Sequence, residues 1–162
     1  MTPLAWLIGF VLPACAASGA QGLPPPQPID MQRIERPASP NTALAAPAGF
    51  APPPDVVTPT YAMAAGRLYD AVRAVAATQP RTFLAADYAA ERQTHWVVRS
   101  AVFNFPDLVT AQISGAGPDS STLVLYSRSV YGYGDLGVNR QRLTAWLAAL
   151  RTTINHTDER SP

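Results

Sequence analysis

The sequence predicts an α+β fold: a two-layer sandwich of two helices on an antiparallel sheet of about four strands, preceded by a disordered Pro-rich segment. The order is α-β-β-β-β-α. Three observations predict it. An apolar stripe at helical spacing opens the globular part, strand-like runs with short connections follow, and an amphipathic helix closes it. Short links between consecutive strands imply antiparallel neighbours. A unit of about one hundred residues buries roughly 60–70% of its unfolded surface, enough to fold without disulfides or metal.

The opening helix is signalled by Thr58-Pro59, an N-cap followed by proline at the first helical position. Tyr61, Ala64, Ala65, Leu68, Val72, Val75 and Ala76 share one apolar face, with Arg67, Asp70 and Arg73 off it. Pro80 ends it. Four strand-like runs follow. Arg81 to Ala85 is short. Thr94 to Phe105 is rich in β-branched and aromatic residues and is interrupted by Pro106-Asp107. Leu108 to Ser114 alternates apolar and polar side chains. Gly115 to Ser121 reads as a turn and Thr122 to Ser127 as the last strand. The closing helix spans about Leu136 to Thr153 on a stripe of Leu143, Trp146, Leu147, Leu150 and Ile154. Asp135 is placed to cap it. These elements make residues 58–155 the globular domain, with residues 156–162 as a disordered tail.

Upstream, residues 1–17 read as a signal peptide with a lipobox. Residues 1–14, MTPLAWLIGFVLPA, are apolar, short and end in small residues. Leu12-Pro13-Ala14-Cys15 resembles a bacterial lipobox, which makes Cys15 a lipidation site and a membrane anchor. Ala14-Cys15-Ala16 also fits a plain cleavage site, leaving a soluble periplasmic protein. Both readings export the chain; the lipoprotein reading places it on the periplasmic face of the outer membrane. Residues 18–57 read as a Pro-rich linker. Eleven prolines fall between Ser18 and Thr60. Proline lacks an N–H and fixes φ, so the segment is expected to be extended or disordered, a tether. A second reading makes part of it, about Pro40 to Phe50, an arm that packs on the domain, with Met31, Ile34, Leu44 and Phe50 as candidate anchors.

Composition excludes several classes. A net charge of +1 gives no reason to expect nucleic acid as a partner. One cysteine permits no intramolecular disulfide and no cysteine zinc site. His95 and His156 lie too far apart for HExxH spacing. No metal or cofactor is expected.

The stretch most suited to a site is Ser127 to Leu150. A glycine-flanked helix start offers free N–H groups and a positive dipole end. Ser127, Arg128, Ser129, Tyr131, Tyr133, Asp135, Asn139 and Arg140 are the candidate ligand-binding residues, with Arg142 beside them. The two arginines suit a carboxylate, phosphate or sulfate group. The same residues also make sense as structure: Arg128 paired with Asp135 or Asp107, and Asn139 bonded to loop carbonyls. No catalytic residue is assigned. Ser127 or Ser129 as nucleophile would need a base, for which His95 is the candidate, and Asp107 and Asp135 are explained by turn and cap duties.

Ser127-Arg128-Ser129 followed by Gly132-Tyr133-Gly134-Asp135-Leu136-Gly137-Val138-Asn139-Arg140 resembles the hallmark SRSRxGxSDxGxNRxR of the domain of unknown function 1499 family. Val102 to Asp107 resembles its aromatic F-x-F-x-D strand end. The resemblance spans roughly Ser39 to Arg151. It implies no established activity, but many members are bacterial envelope proteins, in keeping with the leader. Departures exist. Ala38-Ser39-Pro40-Asn41-Thr42 lacks the cysteines of the usual CPxxPNC-like opening, Val130 and Tyr131 break the basic run, and Gly134 stands where serine is common. The expectation is an envelope (lipo)protein, a non-enzymatic binding or scaffolding domain recognising an anionic ligand or partner protein. The alternative is a hydrolase acting on envelope material.

Overall fold

The computed structural model describes residues 18–158. It is an α+β fold with two helices on one six-stranded sheet. The strands are β1 (Thr42–Pro47), β2 (Val56–Thr58), β3 (Thr82–Tyr88), β4 (Gln93–Arg99), β5 (Pro106–Gly117) and β6 (Ser120–Ser129). The helices are α1 (Ala65–Thr78) and α2 (Val138–Asp158). Strand order is β2-β1-β6-β5-β4-β3. Every neighbouring pair is antiparallel except β1 and β2, so the sheet is mixed.

Both helices pack on one face. Trp96 of β4 meets Trp146 of α2 edge-on at 5.5 Å, and Leu68, Val72, Leu143 and Leu150 close over Val109, Ile113, Leu123 and Leu125. The closing stripe thus buries as its spacing predicts. The second face is also covered. Met31, with Ile34 and Phe50, packs on Leu44, Ala46, Val124 and Tyr126. Arg36 fastens this cover, pairing with Asp55 at 2.8 Å and donating to the Thr42 backbone carbonyl.

The expected four-strand antiparallel sheet is therefore corrected to six strands, and the two additional ones come from residues 42–58. The expectation of disorder fails there for a physical reason. Ala43, Leu44, Ala45 and Ala46 have no exposed surface, and a strand buried on both faces shows no polar alternation to announce it. Its prolines sit at strand ends and in the connection, where no ladder N–H is missed. Thr58-Pro59 does not start a helix. Thr58 closes β2 and donates to the Leu123 carbonyl at 2.9 Å, while Tyr61 exchanges two backbone bonds with Ser121. The helix begins at Ala65, without a side-chain cap.

The run Thr94 to Phe105 is also split. β4 stops at Arg99, and Asn104 turns the chain at φ 55°. Phe105 N–H is satisfied by Ser100 Oγ and its carbonyl by Ser100 N–H, which presents Phe103 and Phe105 to solvent. α2 runs through His156 to Asp158, into the expected tail. The sheet's two edges are short or irregular: β2 has three residues, and β3 shifts register between Leu84 and Ala86.

Candidate functional site

The turn from β6 into α2 is built around Asn139, which has no exposed surface. Its Nδ2 donates to the Asn41 carbonyl (2.9 Å), Ser129 Oγ (3.0 Å) and Asp135 Oδ2 (2.7 Å). Its Oδ1 accepts from Ser127 Oγ (2.5 Å) and Arg142 Nη1 (2.6 Å). Asp135 caps the helix by accepting from the N–H groups of Gly137 and Asn139. Burial alone would raise its carboxyl pKa, but the Asn139 and Gly137 backbone bonds and the Asn139 amide outweigh that and hold it below the ordinary value. Asn41 extends the system, donating from Nδ2 to the Gly132 carbonyl at 2.7 Å. Gly132 takes φ 88°, which only glycine adopts cheaply.

Arg142 completes this clamp. Nη2 meets Asp107 Oδ2 at 2.5 Å, and each side chain is 9% exposed. Nη1 bonds Ser127 Oγ at 2.9 Å. β1, β5, β6 and α2 are thereby joined through one polar cluster. In the sequence Arg142 stands beside the candidate site, and Asn41 reads only as part of the opening segment; Asp107, expected as a turn residue or a partner of Arg128, pairs with Arg142 instead. No local signal links these positions, because the pairings form across strands.

The eight candidate residues do not converge. Ser127, Ser129, Asp135 and Asn139 face α2. Arg128 lies between Ser127 and Ser129 on a strand, so it points to the opposite face. Arg140 is on the exposed side of α2, and Tyr131 and Tyr133 are exposed on the loop. Cys15 lies outside the described residues. His95 shares the Arg128 face, so the sheet separates it from both serines.

That second face holds a cavity of about 450 Å³. Residues 20–29 form one wall, including Leu23, Pro24, Pro25, Pro26 and Ile29. The sheet supplies Val97, Leu108, Val130, His95, Thr110 and Arg128. Gln93 ties the wall to the sheet, its side-chain amide pairing with both the N–H and C=O of Ile29 at 2.8 Å. Tyr88 adds a bond from its hydroxyl to the Pro26 carbonyl. The Ile29 pairing fixes Gln93 Oε1 as an acceptor, so His95 Nε2, 2.9 Å away, carries the proton. Nδ1 then accepts from Thr110 Oγ1 at 3.0 Å. Burial first, and the Arg128 charge second, push the His95 pKa below 6.5 and keep the ring neutral. The Arg128 guanidinium has neither a hydrogen bond nor an ion pair among the described residues. Gln93, Thr110 and the Pro-rich wall carried no sequence signal of a site.

Among the described residues no cluster of histidine, cysteine and carboxylate side chains could hold a metal ion. No helix among them is long and apolar enough to cross a membrane.

The fold and these two features define a two-layer α+β domain, closed by a buried polar clamp and carrying an apolar cavity under its N-terminal cover. The chain belongs to the DUF1499 family, described as a protein of unknown function, whose model matches residues 34–150. Asn41, Asp107, Ser127, Asn139 and Arg142 all lie within that span. No curated protein matches. Among solved structures, the di-domain ARO/CYC BexL from the BE-7585A biosynthetic pathway is similar at 14% identity and a TM-score of 0.45. The alignment covers 60% of this chain and 44% of that one, so the chain spans less than half of it. A likeness at this level transfers nothing to this chain.

Proposed function

We propose that this protein is a non-enzymatic binding domain of the bacterial cell envelope, exported by its leader. Its ligand is a small amphipathic molecule with an anionic group, held in the cavity between the Pro-rich cover and the sheet. Arg128 carries the reading: it is the only ionised side chain on a largely apolar lining, and nothing among the described residues neutralises it. A cavity of this size suits a small ligand. An alkyl or ring body would lie against Leu23, Ile29, Val97 and Leu108. A carboxylate or phosphate would take a charge-assisted bond from Arg128, with Thr110 and His95 adding polarity beside it.

Laurate is a suitable probe. Calorimetric titration should detect binding, and Arg128→Leu should weaken it about tenfold, as expected when a charged hydrogen bond is lost. Arg128 is exposed and unpaired, so the melting temperature should hold. Equal laurate affinity in Arg128→Leu and the unchanged chain would remove the cavity from consideration.

A further inference from the structure

The exposed apolar side chains are gathered at one place. Of the ten large hydrophobic residues that are exposed among the described residues, seven lie in residues 100–105 and 130–138, at the same end of the sheet. Phe103 stacks on Phe105 at 5.5 Å, and Phe105 meets Tyr131 edge-on at 6.1 Å. The loops therefore form one tip. Val102 is 82% exposed and Leu136 98%. A contiguous aromatic tip in water is unfavourable unless something covers it.

The charges around the tip favour one sign. Arg81 donates to Asn104 Oδ1 and to the Arg99 carbonyl. Arg99 donates to backbone carbonyls of Asn104, Gly19 and Gln21. Neither meets a carboxylate among the described residues, and Arg128 and Arg140 also lack one. Asp107 is taken by Arg142, and Asp135 by the helix start. Glu35, in the cleft beside Arg128, is the remaining acid at this end among the described residues.

The path of the chain gives the third observation. Arg99 stands at the tip end of β4, and its bonds to Gly19 and Gln21 fasten the start of the described chain there, at 2.7 and 2.8 Å. Gly19 packs so closely on Phe83 that an added Cβ would lie 1.9 Å from that ring. Cys15 is three residues before Ser18, a reach of about 10 Å.

We propose that the tip is a membrane-docking surface for an anionic bilayer. Phe103, Phe105, Tyr131 and Leu136 enter the headgroup region, and the surrounding arginines meet lipid phosphates. Aromatic and aliphatic side chains gain by partial burial at that depth, and arginines gain near an anionic leaflet. A protein partner on the tip would leave unexplained why the lipidation site read from the sequence is only three residues before a segment fastened at the same end. The domain then rests on the membrane rather than hanging from a long tether.

The test uses the chain from residue 15 onward with Cys15→Ser, so that neither an acyl chain nor the leader contributes. A single new thiol carries an environment-sensitive fluorophore, at Val102→Cys on the tip or at Asp119→Cys at the far end of the sheet. With phosphatidylethanolamine–phosphatidylglycerol vesicles, the tip probe should shift to the blue and be quenched by brominated lipid. The Asp119→Cys probe should do neither. Pure phosphatidylcholine vesicles should bind about tenfold more weakly, and Phe103→Ser with Phe105→Ser should abolish the tip shift. Equal responses at both ends would overturn the proposal, as would a silent tip on a chain that still sediments with vesicles. A shift that rises with protein concentration in the absence of vesicles would also overturn it, assigning the tip to a second copy. Laurate binding is unaffected by Phe103→Ser/Phe105→Ser, which keeps the two readings separable.

Discussion

Asn139 shows why a motif read as a binding loop behaves as a joint. Its amide reaches Asn41 just ahead of β1, β6, the preceding loop and α2, and truncating it would leave several buried groups without partners. Arg142 and Asp107 are the more informative pair to alter. Removing one member strands the other in a site with 9% exposure, so Arg142→Met should cost about 3–5 kcal/mol in urea unfolding. Arg142→Met with Asp107→Leu should cost less than the sum of the singles, and a double-mutant cycle reads that coupling. His95 gives a pH prediction. Its folded pKa lies below the ordinary 6.5, so the unfolded chain binds the extra proton as pH falls. Stability should be full above about 6.5 and decline below it, and His95→Gln should flatten that slope in unfolding curves. Asp135 acts in a separate window, contributing above its ordinary 3.8 and losing that contribution as pH falls further. The cap at Asp135 was legible because capping is local in sequence. The Ser127-Arg128-Ser129 triplet was misjudged as one constellation, although neighbours on a strand face opposite ways. The Arg142–Asp107 pair spans 35 positions, and no local pattern announces such a contact.

The elements divide in the same way. α2, β5 and β6 were readable, since a stripe or an alternation survives wherever one face stays polar. β1 was not. Its six residues are TALAAP, small and apolar, set among prolines that resemble a linker. The opening helix misled through a strong local signal, Thr58-Pro59, that tertiary pairing overrode: the Thr58 hydroxyl serves Leu123 instead of a helix start. The position of β1 between β2 and β6 makes a prediction. Asp55 Oδ2 accepts from Leu44 N–H at 2.8 Å and Asp55 N–H donates back to the Leu44 carbonyl at 2.8 Å. Peptides covering residues 42–47 should exchange amide hydrogens as slowly as those from β5, whereas a tether would exchange within seconds.

For the whole molecule, fold class came through from the sequence and the extent of the fold did not. A chain cut to residues 58–155, the limits the sequence suggests, would lose β1, most of β2 and the cover holding Met31. It should unfold non-cooperatively or aggregate, and a calorimetric scan beside residues 18–158 would decide. Prolines suit the covering role for the reason that made them look like a leash: a strip with few N–H groups crosses a sheet face with few donors to satisfy. The sheet's margins have a further consequence. β2 ends after three residues, and β3 breaks its register midway. A second molecule approaching side-on meets no straight run of free amides against which to zip, so crowding many copies together does not template a continuous ribbon.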